Sequence, residues 1–270
     1  YDIPLSAGID VYQWDYSFDD YDKDSVGGKL RFSYPVYDYT RAYMGYVYDI
    51  AKVKNVSDDA AQSIKDLTGR NIKSSIVPKL IYDSRNNNFN ATRGALYGLE
   101  GEYAGLGGTV GFYKVVGEVG WYIPLFSELA GVVHAKSGFV TDIGNKLLPD
   151  YEKFYLGGIN SMRGFSRDDL APRDGDGAVI GGNIFVQMNL ELKFPLVEEA
   201  GVFGLLFFDT GNIYRYKDNI DLTDLRESAG PEIRWLSPVG PIRLAYGWIL
   251  DPKKTDSNSG SWEFSMASVF

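Results

Sequence analysis

Segments in which every second residue is apolar recur along almost the whole of this 270-residue chain. A period of two is the period of a β-strand, whose side chains point alternately to opposite faces. The last segment shows it best: Trp262, Phe264 and Met266, then the terminal Phe270, with Glu263, Ser265 and Ala267 between them. One greasy face and one polar face, ending on an aromatic residue, is the pattern of a strand with lipid on one side and a wet lumen on the other.

Composition narrows the choice. Aromatic residues make up 15% of the chain, with 20 Tyr and 15 Phe, which suits aromatic girdles at two membrane interfaces. No apolar run approaches the roughly 18 residues of a spanning helix, so a helical membrane protein is excluded. A barrel hides its apolar content, because only alternate residues face lipid. The formal net charge of −9 argues against nucleic acid as a partner, since phosphate binding needs basic stripes. Without cysteine, disulfides, thiolate zinc sites and iron–sulfur clusters are ruled out. No cofactor is expected. Asp15, Asp19, Asp20, Asp22 and Asp24 crowd one stretch, which reads as a solvated loop and lacks the glycine-centred spacing of a calcium loop.

About twelve strands are expected, near 3–16, 26–36, 40–53, 72–83, 93–105, 109–123, 128–141, 179–195, 201–215, 225–237, 241–250 and 260–270. Long polar connections (17–25, 54–71, 142–178, 216–224, 251–259) alternate with short ones, and only 106–108 is brief where a long loop is due. Bacterial barrels show this parity, with short periplasmic turns and longer outer loops. A soluble sandwich would also alternate, but has no reason to sort its loops. Residues 58–65 read as a short helix. Faces follow from the alternation: Ile184, Val186, Met188, Leu190 and Leu192 oppose Gln187, Asn189, Glu191 and Lys193, and the charged set must look inward. His134, the only histidine, falls on the face of Lys136 and reads as a lumen-lining residue.

The longest connection carries Phe154-Tyr155-Leu156-Gly157-Gly158-Ile159-Asn160-Ser161-Met162-Arg163-Gly164-Phe165. Glycine turns around a lone arginine suggest an ordered hairpin that presents it. This run resembles the sixth extracellular loop of the BamA-type family of outer-membrane assembly factors (the bacterial surface antigen family), whose tip motif is Val-Arg-Gly-Phe or -Tyr. Met162-Arg163-Gly164-Phe165 departs from it only in methionine for valine. Further similarities lie in Asp83-Ser84-Arg85-Asn86 with Thr92-Arg93-Gly94, in Glu191 to Leu196, in Phe207-Phe208-Asp209-Thr210-Gly211-Asn212, and in Ser228 to Trp235 followed by Ser237 to Arg243. Together they span 72–270.

The resemblance implies an all-β, transmembrane antiparallel barrel forming one domain over 1–270, with 142–178 folded into the lumen as a lid. It implies that Arg163 meets Asp209 on the barrel wall, with Glu232 as a second acceptor where the family often has glycine. An inward Asp209 would also turn Phe203, Leu205 and Phe207 inward, unless a bulge resets the register. The family barrel has sixteen strands and is preceded by POTRA domains. About four N-terminal strands and the POTRA domains are absent here, and no signal peptide is visible at Tyr1. The chain therefore reads as a fragment or a smaller relative, and twelve strands would close if 3–16 paired with 260–270.

Function follows from the resemblance as an expectation: an assembly factor that folds and inserts nascent outer-membrane β-barrel proteins at a strand-templating seam. Trp262, Phe264, Met266 and Phe270 would form its terminal-strand signal. Outer-membrane lipids, client barrels and assembly-complex lipoproteins are the expected partners. A polypeptide secretion transporter of the two-partner type and a passive pore are the alternatives. No residue spacing marks a catalytic triad or a glycosidase pair, so an enzyme is not expected.

Overall fold

The computed structural model describes residues 4–126, 128–215, 220–238 and 240–266. They form one antiparallel sheet of twelve strands in chain order, each paired with its sequence neighbours. The strands are β1 (Ser6–Ser17), β2 (Asp22–Tyr37), β3 (Thr40–Lys54), β4 (Gly69–Asp83), β5 (Gly94–Gly108), β6 (Phe112–Pro124), β7 (Ala130–Asp142), β8 (Ile184–Val197), β9 (Val202–Tyr214), β10 (Arg226–Ser237), β11 (Gly240–Ile249) and β12 (Gly260–Met266). The long connections 55–68, 143–183, 215–225 and 250–259 share one end of the sheet, where 18–21 and 109–111 are short, and at the other end 84–93 is the longest link. The only α-helix among the described residues is α1 (Gln62–Lys65), a single turn shorter than the expected 58–65. None of the described helices is long and apolar enough to cross a membrane.

Strand faces sort as the alternation requires. Leu190 lies outward between Val133 and Phe208, while Asn189 and Lys193 are buried on the inner face. Across the last strands, Ile233, Leu244 and Phe264 form one outward row, and all three are exposed large apolar groups. Such a row on a folded wall is explained by lipid rather than water. Aromatic clusters mark both ends of the greasy band. At the short-turn end, Tyr39, Tyr82 and Tyr97 are in ring contact and Trp121 donates to the Tyr97 hydroxyl at 2.8 Å. At the long-loop end, Tyr246 lies 4.9 Å from Trp248 and 5.0 Å from Trp262, edge to face.

Two expectations need correction, and two conditional ones can be read against the structure. First, β2 begins at Asp22, so Asp22 and Asp24 lie in the β1–β2 ladder opposite Ser17 and Asp15 rather than in a solvated loop. Lys54 offsets the charge by pairing with Asp24 at 2.6 Å. Second, the lid runs over 143–183, beyond the expected 178, because Gly182 exchanges backbone hydrogen bonds with Phe154 and belongs to the lid's own base. Third, no bulge is present at Asp209: β9 keeps its register against both neighbours there, and Leu205 and Phe207 are buried on the inner face with it. Fourth, no ladder joins β1 to β12 among the described residues.

Candidate functional site

The lid enters the concave side of the sheet and is held at two levels. At its root, a 3₁₀ turn (Asp150–Glu152) puts two acids against the wall and the returning arm. Asp150 accepts from the Gly181 backbone at 3.1 Å, from Lys153 at 3.0 Å and from the Tyr155 hydroxyl, tying the two arms together. Glu152 reaches Lys73 of β4 at 2.7 Å and Lys114 of β6 at 3.6 Å. Burial alone would raise the Glu152 carboxyl, but Lys73 and Lys114 outweigh it and hold the group below the usual carboxylate range.

At the tip, the chain folds on itself. The Gly158 N–H donates to the Phe165 carbonyl at 2.9 Å, and the Gly157 N–H donates to the Ser161 hydroxyl at 2.8 Å. This closed turn aims Arg163 at the wall, where it is only 2% exposed. Its Nε and Nη2 grip Asp209 at 2.8 and 2.6 Å, and its backbone N–H donates to the same carboxylate at 3.0 Å. Nη1 donates to Glu232 and to Glu191, both at 2.8 Å. A planar fork against a carboxylate is the arrangement only arginine makes in full. Burial would depress the guanidinium, yet the Asp209 hydrogen bonds and the surrounding carboxylates push it well above its ordinary value, so it stays charged.

Phe207 explains why an apolar residue shares the inner face with Asp209: its ring centre lies 3.8 Å from the Arg163 guanidinium carbon. Glu232 is the hub of the cluster, since Arg234 and Arg243 bond it at 2.8 and 2.7 Å in addition to Arg163. Arg243 also donates to the Ile159 carbonyl of the lid at 3.1 Å, so Glu232 holds a second arginine against the tip. Met162 and Phe165 are buried with Phe185, Ile213 and Ile249 in the apolar interface between lid and wall. Gly164 has φ +91°, and a Cβ there would sit 2.8 Å from the Gly247 carbonyl of β11. Glycine is therefore required on conformational and steric grounds alike. The Gly164 N–H donates at 2.7 Å to Glu263 of β12, which links the motif to the terminal strand. Trp262, Phe264 and Met266 point outward at 69, 66 and 60% exposure, and Phe270 lies outside the described residues.

Sequence reasoning brought Arg163 toward Asp209 and Glu232, and the structure places all three together. It passed over Glu191, Phe207, Arg243 and Glu263 as members of the cluster, and the root acids Asp150 and Glu152. The inward face of Glu191 was readable from alternation. Its opposition to the lid tip depends on strand register, which sets Asn189 of β8 against Asp209 of β9.

The root offers a separate test. Glu152→Gln removes the charge that Lys73 and Lys114 share; Lys73 keeps Glu102 at 3.2 Å, so the cost falls below about 3–5 kcal/mol, that of stranding a buried charge outright. Amide exchange over 150–156 is expected to accelerate while 161–165 stays protected, as read by mass spectrometry. The contribution of Glu152 is fully present above the ordinary carboxylate range and is lost as pH falls through its depressed folded value.

A curved antiparallel wall with an apolar exterior, a charged interior and a docked lid defines a plugged transmembrane β-barrel of the outer membrane. The chain belongs to the Omp85 superfamily, whose domain model matches residues 1–270. It is 35% identical over 274 residues to the outer membrane protein assembly factor BamA of Nitratidesulfovibrio vulgaris, covering 100% of this chain and 35% of that protein. Against BamA of Neisseria meningitidis the identity is 27%, over 98% of this chain and 40% of that one. The crystal structure of BamA from Haemophilus ducreyi lacking POTRA domains 1–3 superposes with a TM-score of 0.81 at 22% identity, over 97% of this chain and 59% of that chain. The chain thus spans well under half the length of these two sequence relatives.

Proposed function

We propose that residues 1–270 form a single membrane domain of an assembly factor that folds and inserts nascent outer-membrane β-barrel proteins. The observation that carries this reading is the lid tip bound by Arg163 to Asp209, Glu191 and Glu232. A lumen filled by a pinned loop is a poor conduit, so work on a client falls to the wall. Strand edges are the natural template there, because unpaired backbone groups in lipid are costly and an incoming strand satisfies them. The names of the BamA relatives, which are assembly factors, support the same reading. The strand β12, with Trp262, Phe264 and Met266 toward lipid, is the proposed recognition element, to which Phe270 is proposed to contribute. Outer-membrane lipids are the proposed surroundings, locally thinned where the aromatic band is short. Assembly-complex lipoproteins are proposed accessory partners.

The test is reconstitution of the full chain in liposomes with a urea-unfolded client barrel. Folding, followed by the heat-modifiable gel shift of the client, is expected to run faster than in empty liposomes. Equal rates in the two preparations overturn the proposal.

A further inference from the structure

The β4–β5 connection, residues 84–93, lies at the short-turn end, which is the periplasmic end of such a barrel. It does not hang free below the wall. Asn86 organises it by accepting from the Thr92 and Arg93 N–H groups at 3.0 and 3.1 Å, and Asn87 accepts from Phe89 and Asn90 at 2.8 and 2.9 Å. Arg85 is clamped to Asp83 at 2.8 and 2.7 Å and sits over the Tyr122 ring. The tip then crosses beneath β6 and β7 to β8. There the Lys193 ammonium donates to Asn90 Oδ1 at 2.7 Å and to the Ala91 carbonyl. Lys193 is 4% exposed and Ala91 5%.

This contact is chemically unusual. Both acceptors of Lys193 are neutral, and among the described residues no carboxylate pairs with it. A buried ammonium without a counter-charge keeps a large part of its desolvation cost. A wall built only for stability would place an apolar residue or an ion pair at this position. The lysine instead holds one element of the periplasmic end, the turn, and nothing else polar.

A cavity of about 270 Å³ lies between this turn and the lid tip. Its ceiling is the lid at Ile159 to Ser161, its floor is Phe89 and Ala91 of the turn, and His134 and Lys193 are among its walls. We infer that the 84–93 turn is a second closure of the lumen, a periplasmic floor latched by Lys193, so that lid and floor bound this cavity from its two ends. The latch is weak for a chemical reason: two neutral acceptors release an ammonium more readily than a carboxylate does. The inference concerns access to the lumen and does not depend on what the wall does with clients.

The chain has no cysteine, so one introduced thiol is the only one present. His134→Cys reports on the chamber from a wall position outside both closures. In the detergent-solubilised full chain, modification of this introduced thiol by a charged, bulky maleimide is expected to be slow. Lys193→Met removes both hydrogen bonds to the turn and should speed it at least about tenfold, the change expected for loss of even one charge-assisted hydrogen bond. Lys193→Arg, which keeps charge and donors, should stay slow. Shortening the turn by removing 87–90, which takes away the Asn90 acceptor and leaves Lys193 in place, should also speed labelling, and it serves should Lys193→Met fail the heat-modifiability check for a folded barrel. Fast labelling of the parent, or unchanged labelling after the turn is shortened, overturns the inference.

Discussion

Arg163→Ala is expected to free the lid tip while leaving the barrel wall folded. The substitution strands Asp209, which is 0% exposed, while Glu232 and Glu191 each lose a partner at 2.8 Å. Removing one partner of a buried ion pair costs about 3–5 kcal/mol, because the remaining charge keeps its desolvation penalty. Arg234 and Arg243 still neutralise Glu232, so the weak point is Asp209, left with the Asn189 amide at 2.8 Å and the backbone N–H of residue 163 at 3.0 Å, and with no cation. Proteolysis within 157–165 should accelerate by about two orders of magnitude, as a loss near 3 kcal/mol implies when cleavage tracks the open population. Cleavage near 150–154 should change far less, since Asp150 and Glu152 hold the root independently. Arg163→Lys should fall between parent and alanine: an ammonium keeps the charge but loses the fork and the stacking on Phe207. Unaltered protection of the tip in the alanine variant would remove the basis for a pinned lid.

The second large effect concerns the wall. Leu190→Lys places an ammonium on the lipid face near the middle of β8, where a lysine at the bilayer midplane costs about 2–4 kcal/mol. Asn189→Lys, one residue away, points to the lumen and keeps a donor facing Asp209. Folding yield into lipid vesicles, scored by heat-modifiable migration, should drop sharply for the first and little for the second. Equal losses would show that the two faces of β8 have been assigned wrongly.

Both expectations draw on features readable at different depths. Leu190 and Asn189 were separable from the chain alone, because a strand allows two faces and a charged set cannot face hydrocarbon. The Arg163–Asp209 pairing was available only through likeness to a family motif. Alternation by itself set up a conflict, since it carried Leu205 and Phe207 inward with Asp209 and offered a bulge as the way out. The structure removes the conflict without a bulge, by giving Phe207 a task inside, under the guanidinium. Periodicity reports which face a residue occupies and does not report what already waits there.

The acidic stretch around Asp15 to Asp24 shows the converse limit. Local charge density argued for a loop, yet Asp22 and Asp24 extend β2, because ladder pairing with β1 and β3 and the cation of Lys54 outweigh local repulsion. The root acids Asp150 and Glu152 carried no signal at all in the sequence. The partners of Glu152, Lys73 and Lys114, lie 79 and 38 residues away from it.

Strand number, the sorting of faces and the parity of the loops were legible in the chain before any folding was known, because each depends on a local repeat of two and on the polarity of neighbouring residues. Which inward charges meet, that Glu232 gathers three arginines, and that the 84–93 turn reaches Lys193 emerged only from the folded wall. Those contacts join residues on different strands, and their distances are set by register and by the curvature of the whole sheet, quantities no local stretch of sequence contains.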